Sequence, residues 1–232
     1  MPVALITGAT SPLGQAIASA IGDRGYDLIL QVHRNSDLGK VVKCEVVRAD
    51  LSSDDGQDQF CDEIEAKTKV IDVVVHNAAS FTESNLRTLS RDDFRTTMSL
   101  NVEAPLFITK NLLHLLKKSD QASVVHMIDA MCMRVWDNRL AYDASKMLLA
   151  HLTQSLAVEL APHVRVNAVA PGLVSFPSDF SSLRRHRVTE KIPLKRTPSA
   201  EEIASTVAYL ACDATSTTGQ ILVVDGGRHL VK

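Results

Sequence analysis

The sequence predicts a doubly wound α/β fold of Rossmann type, a seven-stranded and mostly parallel sheet flanked by helices. Three observations predict it. Short β-branched runs alternate with longer stretches of helical period from end to end. Several of those runs are continuously apolar, as strands buried on both faces must be. The first run also leads directly into a turn of small residues and then a helical pattern. The strands read as Val3–Ile6, Leu28–Val32, Cys44–Val47, Ile71–Val75, Val124–Ile128, Val164–Val169 and Ile221–Val224. Between them apolar residues recur every three or four positions. Leu13, Ile17 and Ile21 form one such stripe, Leu148, Leu152, Leu156 and Leu160 a second, and Ile203, Val207 and Leu210 a third. Right-handed crossovers join strands of this kind. No repeat, low-complexity tract or linker interrupts the pattern, so 1–232 reads as a single domain. The stretch of about 173–199 looks irregular, with Pro177, Pro193, Pro198 and the cations Arg184, Arg185 and Arg187. It reads as a lid or substrate loop.

Of the 232 residues, 45% are apolar, enough for a full core and too many for a disordered chain. Twenty-five Lys and Arg against 27 Asp and Glu give a formal charge of −2. That balance lacks the basic excess of a nucleic-acid or anionic-membrane binder. Cys44, Cys61, Cys132 and Cys212 lie far apart with no Cys-x-x-Cys spacing, which argues against a zinc site or a disulfide scaffold. No apolar run approaches the ~18 residues of a membrane span, and the first residues carry no basic leader. The expectation is a soluble cytoplasmic protein acting on a small molecule, with no metal, nucleic-acid or membrane partner.

Thr7-Gly8-Ala9-Thr10-Ser11-Pro12-Leu13-Gly14 follows the first strand. Small residues let the backbone turn sharply there, and a helix start offers N–H groups and a positive dipole end to a pyrophosphate. Pro12 offers no N–H but suits the first turn of a helix. After the second strand stands His33-Arg34-Asn35-Ser36. An acid there accepts the adenosine ribose and repels a 2′-phosphate, whereas a cation attracts one; Arg34 therefore favours NADPH over NADH, with Asp37 opposing it.

Tyr142 and Lys146 are four residues apart at a predicted helix start, so both side chains share one face. An ammonium near a phenol is expected to lower its pKa from ~10 towards neutrality and ready it for proton transfer. These segments, with Asp50, Asn77, Asp129 and Pro171, follow the carboxyl ends of different predicted strands, the edge at which open α/β sheets bind ligands.

Taken together, the chain resembles the short-chain dehydrogenase/reductase family over essentially its whole length. Thr7–Gly14 is similar to that family's cofactor loop, Asp50-Leu51 to its adenine-side pair, and His76-Asn77-Ala78-Ala79 to its Asn-Asn-Ala-Gly segment. Asn101 resembles its water-holding helix asparagine, Tyr142 and Lys146 its active-site pair, and Pro171-Gly172 the turn bracing the nicotinamide. Members that reduce ordinary ketones carry a serine about 13 positions before the tyrosine; here that position is Asp129. An Asp–Tyr–Lys set with Asn-Ala-Ala-Ser-Phe after strand four resembles the pteridine reductase branch. The ending Asp225-Gly226-Gly227-Arg228-His229-Leu230 is similar to bacterial dihydromonapterin reductases, which also reduce dihydrofolate. Two features common in that branch are missing: an arginine at the Pro12 position and a second serine at Ala79.

The resemblance implies catalytic roles for Asp129, Tyr142, Lys146 and Asn101. It implies NADPH contacts from Thr7, Gly8, Ser11, Pro12, Leu13, Gly14, His33, Arg34, Asn35, Ser36, Asp50, Leu51, Asn77, Ala78, Ala79, Tyr142, Lys146, Pro171, Gly172 and Val174. Substrate contacts are expected from Ser80, Phe81, Asp129, Tyr142 and Leu173. Phe81 is either a core residue or a platform for a flat ring, and its place directly after the strand-four motif favours stacking. Asp129 is either a capping residue or a proton-relaying carboxyl group, which also hydrogen-bonds ring nitrogens; if ionised, it is expected to raise the Tyr142 pKa against Lys146, so that the three titrate as one coupled unit. The implied reaction is NADPH-dependent reduction of dihydromonapterin, dihydrobiopterin or dihydrofolate, with hydride to C6 and a proton to N5. The alternatives are a general carbonyl reductase acting on a 3-oxoacyl or sugar substrate, and a non-catalytic NADPH-binding sensor. The resemblance further implies a homotetramer with contacts through the helices around Asn101–Leu116 and Tyr142–Leu160.

Overall fold

Alternate residues of a strand face opposite sides of a sheet, and here both sides are apolar. The computed structural model describes residues 1–35, 37–39, 44–134, 136–176 and 180–231; Ser36 and Pro177 therefore lie outside the described residues. In β1 (Val3–Ile6), Ala4 and Ile6 enter one core cluster and Leu5 the other. Val73 and Val75 of β4 (Val73–His76) part from Val74 in the same way, and Val125 of β5 (Ser123–Met127) parts from Val124. The remaining strands are β2 (Asp27–Val32), β3 (Cys44–Arg48), β6 (Arg165–Pro171) and β7 (Ile221–Val224). They form one seven-stranded sheet of order β3-β2-β1-β4-β5-β6-β7, and every adjacent pair is parallel. The expected strands are all present, Val3–Ile6 and Ile221–Val224 at both ends and the others with an end displaced by at most two residues.

One sheet face is covered by α1 (Pro12–Gly22) and α8 (Ala200–Ala208), through Ile17, Ile21, Ile203 and Val207. The other is covered by α2 (Asp54–Lys67), α4 (Ala104–Asn111), α5 (Leu113–Leu116) and α6 (Leu140–Glu159), through Phe60, Ile64, Ile108, Leu116 and Leu156. Among the described residues, no helix is long and apolar enough to cross a membrane.

Two expectations are corrected. The helix expected around Asn101–Leu116 is present but irregular: Pro105 has no N–H for the carbonyl of Asn101 four residues back, and Leu112 parts α4 from α5. The chain makes a π-turn over Ser99–Glu103, after α3 (Arg91–Met98), with Ala104 N donating to Ser99 O. The stretch 173–199 is not irregular throughout. Ser181 caps α7 (Ser182–Glu190), which carries Arg184, Arg185 and Arg187 and buries none of its residues. A helix without an apolar face has no periodic signature.

Candidate active site

A parallel sheet places all of its carboxyl ends on one edge, so the predicted segments converge there by topology. After β1, the loop is laced to the end of β4. Thr7 Oγ1 accepts from Asn77 N and Ala78 N, both at 3.0 Å, and Asn77 Nδ2 donates to Gly8 O at 2.9 Å. Gly8 has φ +65°, and a Cβ on it would stand 2.7 Å from Ala78 Cα. A Cβ on Gly14 would stand 2.4 Å from Gly8 O. Both glycines thus serve close backbone approach, the property a pyrophosphate cradle needs. Ser11 caps α1 through Gly14 N at 3.0 Å, and Pro12 opens the helix. Two of the first helical positions therefore have no free N–H, one by chemistry and one by capping. Leu13, in the first turn of α1, packs on the core.

At the ends of β2 and β3, His33 Nε2 lies 3.4 Å from Asp50 Oδ2. Hydrogen bonds from Ser52 hold the Asp50 carboxyl below its ordinary range. Arg48 Nη1 donates to His33 O at 2.7 Å and Arg34 O at 2.8 Å. The edge thus gathers the cations Arg34 and Arg48 around one turn that also contains His33 and Asn35, beside the Asp50 carboxylate; two guanidinium groups are the kind of partner a 2′-phosphate requires. The side chain of Leu51 is buried in the core, so this residue presents its backbone at the edge.

Following β5, Asp129 comes within reach of Tyr142 at the start of α6. Tyr142 Oη donates to Asp129 Oδ2 at 3.3 Å. Asp129 Oδ1 accepts from Met131 N at 2.6 Å, capping the short 3₁₀ turn Ala130–Met133. Capping and proximity to the phenol, offered as alternatives by the sequence, coexist. The same Oδ2 receives Arg139 Nη2 at 2.6 Å, and Arg139 Nε lies 3.1 Å from Asp143 Oδ1. Burial pulls the Arg139 guanidinium down, but the carboxylates of Asp129 and Asp143 outweigh it and hold it above its ordinary range. Phe81 is half exposed, with its ring edge-to-face with Tyr142 at 4.9 Å between centroids.

Lys146 is buried, and its Nζ donates to Met127 O at 2.8 Å. Burial lowers its pKa to about 8, opposed by the charge of Asp129. Of the two opposing influences expected on Tyr142, the raising one prevails: its phenol is held above its ordinary range, by burial first and by the Asp129 charge second. Helical spacing correctly brought the amine and the phenol together, but desolvation and the acid outweigh the amine. The site therefore presents a protonated phenol.

Asn101 is buried, and its side chain is engaged by the β4 loop and α6. Ser80 N donates to Oδ1 at 2.8 Å, and Nδ2 donates to Ser80 O and Ser145 Oγ, both at 3.0 Å. It braces Ser80 and the segment with Ala79 against α6, and its carbonyl lacks an α-helical donor because residue 105 is proline. Beyond β6, Gly172 N donates to Val224 O at 2.8 Å. A Cβ on Gly172 would lie 2.6 Å from Asp225 Cβ, so Pro171-Gly172 is wedged against the β7 end. Leu173 is partly buried, and Val174 packs on the core.

Sequence reading missed three residues here. Gln31, a buried amide in an apolar strand, receives Gly8 N at 2.8 Å and donates to Ala49 O at 2.8 Å, and its polarity in that strand was the available signal. Arg48 lies on an edge strand with no motif. Arg139 is tied to Asp129 by a fold-back that no spacing reveals.

A family model described as Enoyl-(Acyl carrier protein) reductase matches residues 8–229. A protein named as ketoacyl reductase 2 of the granaticin polyketide synthase, from Streptomyces violaceoruber, is 33% identical over 99% of this chain and 97% of its own length. A dihydromonapterin reductase from Escherichia coli is 30% identical over 97% of this chain and 96% of its own. Among solved structures, the Pseudomonas aeruginosa RhlG/NADP active-site complex superposes with a TM-score of 0.87, at 26% identity over 98% of this chain and 96% of that one. Sequence, sheet order and site geometry agree, and the chain belongs to the short-chain dehydrogenase/reductase family of oxidoreductases.

Proposed function

We propose that this protein reduces a dihydropterin at the expense of NADPH, with dihydromonapterin, dihydrobiopterin and dihydrofolate as the candidate substrates. The observation that carries this reading is the Asp129 carboxylate, 3.3 Å from the Tyr142 hydroxyl, where ketone reducers of this family resemble one another in carrying serine. An anion beside the reacting bond favours a nitrogen that gains a proton and opposes an oxygen that gains negative charge. The Arg139 guanidinium, 2.6 Å from the same carboxylate, offsets part of that preference. Relatives named dihydromonapterin reductase support the same reading.

The loop around Gly8 and Gly14 fits a pyrophosphate, and His33, Arg34 and Arg48 fit a 2′-phosphate. Bound there, NADPH supplies a hydride to C6 of the pterin. Tyr142, held protonated by burial and by Asp129, carries the proton for N5, and the ammonium of Lys146 offsets the phenolate left when the proton is delivered. Lys146 contributes positive charge beneath the phenol and is itself anchored on Met127 O. Asn101 holds Ser80 and the adjoining Phe81, the platform for the bicyclic ring. Phe107, Met147, Leu148 and Val158, exposed on α4 and α6, support assembly as a homotetramer through those helices.

A ketoacyl reductase is the second reading, favoured by the 33% identical relative of that name. The two separate in one assay: NADPH consumption with dihydromonapterin, dihydrofolate and a 3-oxoacyl thioester side by side. Turnover of a dihydropterin, with the thioester slower by at least tenfold in kcat/KM, supports the proposal. Preferred turnover of the thioester overturns it.

A further inference from the structure

We propose that Arg139 is a positioning residue of this site, fixing the Asp129 carboxylate at the Tyr142 phenol and the Phe81 ring beside it. The inference rests on the oxidoreductase reading of Asp129, Tyr142 and Lys146, and not on the identity of the substrate.

Local structure gives Arg139 no reason to be where it is. It occupies the N-cap of α6 without making a capping bond. N-caps favour short oxygen-bearing side chains, and a cation at the positive end of a helix is disfavoured. A residue that breaks a local rule points to a demand made elsewhere in the fold. That demand is visible in its contacts. The guanidinium is only 18% exposed and spans two carboxylates, Asp129 at 2.6 Å and Asp143 at 3.1 Å, themselves 19% and 15% exposed. Asp129 Oδ2 thus takes Arg139 and the Tyr142 hydroxyl together, while Oδ1 is held by Met131 N. Both oxygens have fixed donors, so the carboxylate cannot rotate away from the phenol.

The backbone at Arg139 is clamped as well. Ser84 N donates to Asn138 O at 2.8 Å, and Leu140 N donates to Ser84 O at 3.2 Å. Asn138 turns the chain at φ +61°, a conformation that asparagine tolerates. From this anchor the guanidinium lies 5.0 Å from the centroid of Tyr142 and 5.5 Å from that of Phe81. One planar cation therefore orders an acid, a proton donor and an aromatic platform. A lysine, with a single point of charge, cannot span the two carboxylates in the same way. Arg139 cannot itself give up a proton; its influence passes through Asp129.

The test is a double-mutant cycle in kcat, run with NADPH and whichever substrate class the wild type reduces, on wild type, R139M, D129N and R139M/D129N. R139K and D143N are assayed alongside, and thermal melting and NADPH binding are recorded for each. R139M is expected to lose about tenfold to a hundredfold in kcat with NADPH binding unchanged. R139K should recover part of that loss, and D143N should lose less than R139M. The double variant should be no slower than D129N alone, within about twofold. Losses that multiply in the double variant, or an R139M deficit that appears only as a lowered melting temperature, would overturn the proposal. Because the cycle uses the substrate actually turned over, a failure of the pterin reading appears in substrate choice and a failure of this one in the coupling.

Discussion

The hydroxyl of Tyr142 donates to Asp129 Oδ2 at 3.3 Å, and that bond makes the phenol a proton source of unusual setting. Burial and the neighbouring anion both hold it protonated, whereas the ammonium of Lys146 lies 5.7 Å from its ring centroid. Replacing the hydroxyl by hydrogen, in Tyr142→Phe, is expected to lower kcat by about 10²–10⁴-fold. Binding of NADPH, followed by nucleotide fluorescence, should stay within a few-fold of wild type. Unchanged turnover would remove Tyr142 from the chemistry.

Lys146 sets the alkaline side of the pH profile. Its burial lowers the ammonium to about 8, so activity that needs the charge declines as pH rises through that value. Asp129 opposes the lowering, and Asp129→Asn should therefore move the decline to lower pH. The measurement is kcat against pH for both proteins. A decline that stays in place in Asp129→Asn would mean that another group is titrating.

The phosphate loop depends on the space its glycines leave. In Gly14→Ala the new methyl meets Gly8 O at 2.4 Å, a backbone contact that only a shift of the loop can relieve. NADPH affinity is expected to fall by at least tenfold, about 1.4 kcal/mol, by titration calorimetry. Arg34→Ala should instead weaken NADPH and leave NADH almost unaffected, since only the first carries a 2′-phosphate. Equal weakening of both would show that Arg34 shapes the loop and does not read the phosphate.

Acid stability traces to two core histidines. His76 and His126 face each other in register on β4 and β5, are bonded to Thr109 and Thr153, and are buried. Burial holds both below the ordinary imidazole range, His126 at about 3 with a further push from Lys146. The unfolded chain therefore binds protons that the folded one refuses. Stability is full above pH ~6.5 and falls below it, by up to about 1.4 kcal/mol per pH unit for each histidine. His126→Leu removes one of the two and also an unpartnered buried nitrogen. Urea unfolding at pH 7 and pH 5 should show a smaller drop for His126→Leu than for wild type; equal drops would contradict this assignment.

What the sequence made legible was local. The Thr7–Gly14 turn, the four-residue spacing of Tyr142 and Lys146, and the position of Asp129 all emerged because a strand end or one helical turn defines them. The acid strength of Tyr142 emerged only in part: the opposition of Asp129 to Lys146 follows from their positions, but burial by distant segments, the larger cause, does not. Arg139 was hidden for the same reason: Asp129 lies ten residues away across a 3₁₀ turn, and the bridge to Ser84 closes a still longer loop. Helix α7 escaped because it buries nothing, and the π-turn leading into α4 because the consequence of Pro105 falls four residues upstream.

The most direct test is the ratio of kcat/KM for a dihydropterin to kcat/KM for a 3-oxoacyl thioester, measured in wild type and in Asp129→Ser. If the carboxylate selects a C=N bond, the ratio should drop by about a hundredfold in Asp129→Ser, equivalent to roughly 2.7 kcal/mol. A ratio unchanged by the substitution would contradict it and leave Asp129 as the cap of its 3₁₀ turn.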